Sequence, residues 1–179
     1  MLQSTDFQVP DEDEGADVRA VAQTMEKAYQ AGKKIRDMPQ PVCKVSGSAG
    51  SRIPRVQLMF TAYSKHVALP SELPGVGAGD PHLSVREEDI DLTFDCVSSR
   101  AGSTQDIPLQ ITVAFQARTG ESEGQAVPAQ DYLAITHSAA LAVAKELGCV
   151  NDGGLPADAA GLPEPKATAS PKASGSPSS

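Results

Sequence analysis

The stretch VREEDIDLTFDC, residues 85–96, decides the fold class of this chain. From Asp89 to Cys96 its polar and apolar residues alternate without a break, with Ile90, Leu92, Phe94 and Cys96 on one side and Asp89, Asp91, Thr93 and Asp95 on the other. Successive side chains of a strand point to opposite faces, so the pattern predicts a strand with one buried face. Parallel sheets that are covered on both sides have continuous apolar runs instead, and the alternation therefore indicates an antiparallel sheet.

Other segments repeat this alternation. Residues 56–62 and 109–117 predict two more strands, and a short strand is expected around Val42 to Val45. The outward positions of the predicted sheet are neither fully charged nor fully apolar: Met59, Thr61, Tyr63, Thr93, Thr112, Ala114 and Gln116. Such a face either stays wet or docks a partner or a second copy, since Tyr and Met are enriched in interface cores.

Two helices flank the strands in the sequence. Apolar residues at steps of three and four predict one helix from Asp17 to Ile35, before Pro39. Pro128 and Gly148 are typical of the start and end of a second helix. Its inner side is expected to carry Tyr132, Ile135, Ala139, Val143 and Leu147, and His137 is expected in solvent. The economical arrangement is an α+β two-layer sandwich, an antiparallel sheet of three or four strands with both helices on one face.

Composition predicts one domain between two tails. Residues 1–15 form an acidic N-terminal tail, residues 16–154 the single α+β domain, and residues 155–179 a C-terminal tail rich in Pro, Ala and Ser. Both tails are expected to be disordered because they lack the apolar surface that a packed core requires. An apolar content of 40% over 179 residues suits one core of ordinary size.

The net charge of −8 and the pI near 4.8 restrict the partners. Nucleic acid and anionic lipid bind through Lys and Arg, so both are disfavoured. No stretch reaches the roughly 18 apolar residues of a membrane helix, which argues against direct membrane insertion. The first thirty residues lack the layout of a signal peptide. The chain as written is therefore expected in the cytoplasm. If the protein has an upstream signal or anchor that the given sequence does not include, it is expected outside the cytoplasm.

The three cysteines, Cys43, Cys96 and Cys149, have no CxxC pair and no nearby His, which argues against a zinc site. They permit one disulfide in three pairings, or three free thiols in a reducing compartment. Burial as small apolar residues is an equally good interpretation. If one bond forms, Cys96–Cys149 is favoured, because Cys96 ends a core strand and Cys149 follows a core helix.

No motif predicts catalytic, cofactor-binding or metal-binding residues. The sequence lacks a nucleophile elbow, and the glycines of PGVGAGDP are flanked by prolines, with neither the strand nor the helix of a phosphate loop. Only Asp91, Asp95 and His66 would be worth testing under an enzymatic hypothesis. We therefore expect no enzyme and no cofactor.

The layout of helix, the strand VREEDIDLTFDC with its neighbours, and closing helix resembles a family of small bacterial domains without an assigned function, over roughly residues 16–150. The tail PKATASPKAS is similar in composition to extracytoplasmic proteins of high-GC bacteria, which implies a signal or anchor.

Two functional hypotheses follow from the sequence as a whole. The first is a non-enzymatic interaction or assembly module that binds a protein partner or itself; the alternative is an extracytoplasmic, lipoprotein-like binding domain with one disulfide.

Overall fold

The computed structural model describes residues 7–8, 17–32, 40–47, 55–64, 80–85, 89–118 and 129–165. The strands are β1 (Phe7–Gln8), β2 (Gln40–Gly47), β3 (Arg55–Ser64), β4 (His82–Val85), β5 (Asp89–Cys96) and β6 (Leu109–Arg118). The α-helices are α1 (Val18–Gln30) and α2 (Ala129–Leu147). Two short 3-10 segments follow α2, at Val150–Gly154 and Ala159–Gly161.

All strands join one antiparallel sheet in the order β1-β2-β3-β6-β5-β4. The four strands expected from the sequence are its contiguous centre, and the short β1 and β4 extend its two ends. The longest pairing joins β3 and β6, in which Arg55 lies opposite Arg118 and Ser64 opposite Leu109. β1 falls within the predicted N-terminal tail, where Phe7 and Gln8 pair with Gly47 and Ser46.

The helices form the second layer. α1 packs against α2, β2 and β3, while α2 packs on β5 and β6. The inner face of the sheet meets them with buried apolar side chains: Leu58, Phe60, Ala62, Ile90, Leu92, Phe94, Cys96, Leu109, Ile111, Val113 and Phe115. The ring of Phe115 lies 4.4 Å from that of Tyr132 on α2, measured between centroids. The predicted α+β two-layer sandwich is confirmed.

α1 begins as the sequence predicts and ends earlier. The Asp17 side chain accepts a 2.6 Å hydrogen bond from the Ala20 amide and caps the first turn. The helix ends at Gln30, and Gly32 follows with a φ of 63°. A glycine in this left-handed conformation is a common helix terminator, so α1 ends before its predicted limit. Ile35, the predicted last residue, lies outside the described part of the chain.

α2 has the expected ends, but its buried side is rotated. Ile135 is 49% exposed, whereas Thr136 and His137 are buried. The buried residues on the sheet side are Ala140, Val143, Ala144 and Leu147. The two small alanines among them let the helix approach the strands closely. The predicted stripe therefore placed Ile135 on the wrong side, and the expectation of a solvent-exposed His137 is also wrong.

The chain continues as folded structure beyond Gly154. Leu155 is buried, Leu162 packs against the core, and the Asp158 side chain accepts hydrogen bonds from the amides of Ala160 and Gly161. This segment covers His137, whose Nε2 lies 3.0 Å from the Pro156 carbonyl oxygen. The predicted tail boundary at residue 155 is therefore wrong for residues 155–165. Residues 166–179 lie outside the described part of the chain.

Candidate functional site

The outer face of the sheet lies opposite the two helices. It gathers the residues that the sequence placed outward, all partly exposed: Met59, Thr61, Thr93, Thr112, Ala114 and Gln116. Met59 pairs with Ala114, and Thr61 with Thr112. Tyr63 pairs with Gln110 through the backbone, and its side chain lies outside the described set.

A row of polar side chains crosses four adjacent strands on this outer face. It runs from His82 on β4 through Thr93 and Thr112 to Thr61 on β3, each directly opposite the next. The hydroxyls of Thr93 and Thr112 share a 2.8 Å hydrogen bond. We call His82, Thr93, Thr112 and Thr61 the hydroxyl row.

His82 has an unusual environment at the end of the hydroxyl row. Its Nε2 atom is buried and has no hydrogen-bond partner in the part of the chain that the structure describes. Buried polar side-chain atoms are nearly always paired, so this atom needs an explanation. The sequence offered no signal for it, because β4 is only four residues long and the preceding segment has no clear periodicity.

Aspartates occupy the outer positions of β5. Asp89, Asp91 and Asp95 are each partly exposed, and Gln110 Nε2 donates to Asp95 Oδ1 at 3.3 Å. Asp91 and Asp95 are four residues apart on an extended strand, a separation of about 13 Å, too far to share one cation. His66, the third residue of the enzymatic hypothesis, lies outside the described residues.

One end of the sandwich is held by the disulfide between Cys96 and Cys149, the pairing that the sequence favoured. Their Cα atoms are 5.0 Å apart, and Cys96 is fully buried. The bond joins the end of β5 to the residue after α2. Directly beyond it, the Val150 amide donates a 2.9 Å hydrogen bond to the Val97 carbonyl. Cys43 lies on β2, and its side chain is not among those described.

The connection between β5 and β6 contains two buried serines. Ser103 Oγ accepts from the Ser98 amide at 2.8 Å and lies 2.9 Å from the Cys96 carbonyl oxygen, to which it donates. The Ser98 hydroxyl donates to the Leu147 carbonyl at the end of α2. These bonds satisfy backbone groups that would otherwise be buried without partners, and they join the connection to the helix.

Two tyrosines link the helices to the rest of the fold. The Tyr29 hydroxyl on α1 donates a 2.7 Å hydrogen bond to the Ile107 carbonyl. Burial raises the pKa of Tyr29 above its ordinary value of 10.0. The pKa of Tyr132 is also raised, first by burial and then by the neighbouring charge of Asp131.

A left-handed turn follows the disulfide. Asn151, Asp152, Gly153 and Gly154 have φ angles of 51°, 50°, 70° and 74°. Asn, Asp and Gly tolerate this conformation best, so the run NDGG is a sequence signal for this turn, although no turn was predicted here. The turn packs beside the end of β5, beyond the last residue that pairs with β4.

A cleft of about 360 Å³ opens between this turn and the β5–β6 connection. Its lining combines one carboxylate with amide and apolar groups: Asp95, Val97, Gln105, Pro108, Val150, Asn151, Gly153 and Gly154. Val150 is 58% exposed although it is apolar. Asp95 belongs to both the cleft and the outer face, so the two features adjoin.

The described residues form neither a metal site nor a membrane-spanning helix. They contain no group of three or more His, Cys, Asp or Glu side chains arranged to hold a metal ion. Neither α1 nor α2 combines the length and the apolar character needed to cross a membrane. Comparisons of the chain with protein-family models, with curated proteins and with solved structures find no match.

Proposed function

We propose that this chain is a non-enzymatic protein-interaction module whose outer sheet face docks a partner protein. The hydroxyl row carries the proposal. It offers hydrogen-bonding groups across four strands on the face opposite both described helices, and His82 Nε2 within it has no hydrogen-bond partner among the described residues. A docked protein would supply the missing hydrogen bond and cover the apolar side chain of Met59 beside the row.

The charge of the face favours a different protein over a second copy. Asp89, Asp91 and Asp95 lie along β5 next to the hydroxyl row, and the whole chain carries a net charge of −8. Two copies docked face to face would bring like charges together, which costs binding free energy. The partner is therefore a protein that presents Lys or Arg together with hydrogen-bonding groups.

The test compares two variants that add the same charge at different places. Thr112→Arg puts a long side chain at the centre of the hydroxyl row, whereas Gln23→Arg alters an exposed position on α1. Tagged wild type and both variants are incubated with extract of the cells that produce the protein, and the bound proteins are quantified by mass spectrometry. We expect a partner that wild type and Gln23→Arg retain, and that Thr112→Arg binds at least tenfold less.

Two outcomes would overturn the proposal. One is that no recovered protein depends on residue 112. The other is a wild-type dimer in sedimentation that Thr112→Arg dissociates, which would assign the face to a second copy.

The disulfide favours a second proposal, that the domain works outside the cytoplasm. Disulfides persist in oxidising compartments and are rare in the cytosol. Cys96 and Cys149 join two core elements and are both buried, as expected for a structural bond. Intact-mass measurement after alkylation of native material, with and without reduction, tests this. We expect two thiols to react only after reduction, and alkylation of all three without reductant would contradict the proposal.

A further inference from the structure

We propose that the cleft beside the disulfide binds a basic side chain, Lys or Arg, of a peptide or protein. This inference goes beyond the docking role of the outer face. It holds even if the hydroxyl row is only a solvated surface, because it rests on the chemistry of the cleft alone.

The cleft carries a negative charge for which the described residues supply no counterion. Asp95 is the only ionisable residue among its described lining residues. Gln110 donates to Oδ1 at the long distance of 3.3 Å, and no Lys, Arg or His of the described chain lies within 4.0 Å of this carboxylate. A carboxylate can accept several hydrogen bonds, and those from a cation are the strongest. Asp95 is therefore ready to accept a charged donor.

The rest of the lining suits the stem of such a side chain. Val97, Pro108 and Val150 provide apolar surface, and Val150 is exposed at 58%. The methylene groups of Lys and Arg pack on apolar surface while the charged end reaches a polar partner. The volume of about 360 Å³ lies at the lower end of the range for small-ligand sites, which leaves room for one basic residue and part of its backbone.

The walls of the cleft are held in place before any ligand arrives. The disulfide and the bond from Val150 to Val97 fix the start of the left-handed turn. Gly153 then packs against Phe94. A site that is already ordered loses less conformational entropy on binding, so it can recognise a small group.

The probes are N-acetyl-arginine amide and N-acetyl-lysine amide, added to the ¹⁵N-labelled full chain. N-acetyl-norleucine amide is the matched probe, with an aliphatic stem but no charge. We expect saturable shifts in the amide resonances of Asn151, Gly153 and Gly154 with at least one basic probe, and no saturation with norleucine.

Two aspartate variants test the role of the charge. Asp95→Asn keeps the shape and the bond with Gln110, yet it should weaken binding about tenfold because a charge-assisted hydrogen bond is lost. Asp89→Asn removes an equal charge at the other end of β5 and should leave affinity within about twofold, since exposed charges at that distance are screened. Absence of saturation, equal binding of norleucine, or equal losses in both variants would each overturn the proposal.

Discussion

Gly153 lies directly against the ring of Phe94. A Cβ atom placed on Gly153 would come within 2.5 Å of Phe94 Cδ2 and 3.2 Å of the Asp95 carbonyl oxygen. The residue also has a φ of 70°, a conformation that other residues rarely adopt. Backbone conformation and packing both require glycine here, and the contact seats the turn against the end of β5.

Gly153→Ala should therefore lower the free energy of unfolding by about 3 kcal/mol. The cost of the left-handed backbone conformation adds to the cost of overpacking against Phe94. Gly102→Ala is the matched control. Gly102 has a φ of 77°, but no atom of the described residues lies within 4 Å of its added Cβ, so only the conformational cost of about 1 kcal/mol applies. Urea unfolding of both variants gives the comparison. Equal losses would mean that the Phe94 contact contributes nothing.

Replacing both Cys96 and Cys149 by Ala should cost about 4 kcal/mol, the loop-closure entropy for a separation of 53 residues. Guanidinium unfolding of wild type with and without a reductant supplies the check. Reduction should bring the wild type close to the double variant, whereas Cys43→Ala should keep its sensitivity to the reductant. A wild-type free energy of unfolding that is the same with and without the reductant would contradict this expectation.

Ser103→Ala removes a hydroxyl that serves both the Ser98 amide and the Cys96 carbonyl in a buried place. The unpaired backbone groups should lower the free energy of unfolding by about 2 kcal/mol. Ser99→Ala, at an exposed position of the same connection, should change it by less than about 0.5 kcal/mol. Thermal and urea unfolding of the two variants provide the measurement. Equal losses of stability would mean that the two Ser103 hydrogen bonds do not stabilise the fold.

The folded segment after Gly154 can be tested by truncation. A chain that ends at Gly154 loses the buried Leu155 and the Pro156 partner of His137, and it should lose about 2 kcal/mol or more. A chain that ends at Pro165 keeps every described contact and is the control. Urea unfolding of both truncated chains decides the point. Equal stability of the two would mean that residues 155–165 add nothing to the fold.

The two raised tyrosine pKa values predict alkaline sensitivity. A folded-state pKa above the unfolded value of 10.0 means that the folded chain holds its protons more tightly. The resulting stability is fully present below pH 10 and is lost as the pH rises through the higher folded pKa values. Unfolding at several pH values, with tyrosinate absorbance as the titration readout, checks this. The variant carrying Tyr29→Phe and Tyr132→Phe should show a smaller loss between pH 9 and about pH 11.

Alternation along the strands was enough to predict the centre of the sheet, its buried face and the position of Cys96. The spacing of apolar residues predicted the start of the first helix near Asp17, and Pro128 and Gly148 predicted the two ends of the second. β1 and β4 were missed because two and four residues are too short to show a period.

Other features depend on contacts that composition conceals. Residues 155–165 are rich in Pro and Ala, yet two leucines seven positions apart, Leu155 and Leu162, reach the core. The burial of His137 follows from that segment. The prediction of a tail from residue 155 therefore also led to the wrong prediction that His137 is exposed to solvent. The cleft likewise needs β5, the β5–β6 connection and the post-helix turn together, which no local pattern can show.

The bond between Cys96 and Cys149 has a mechanical consequence as well. It closes a covalent loop of the chain that contains β6 and α2, while α1 and the strands β1 to β5 precede this loop in the sequence. An oxidised molecule that is pulled by its two ends cannot extend the backbone inside this loop. With 53 residues between the linked positions, about 180 Å of contour length stays out of reach. The redox state of one bond thus decides how far the molecule can stretch under load.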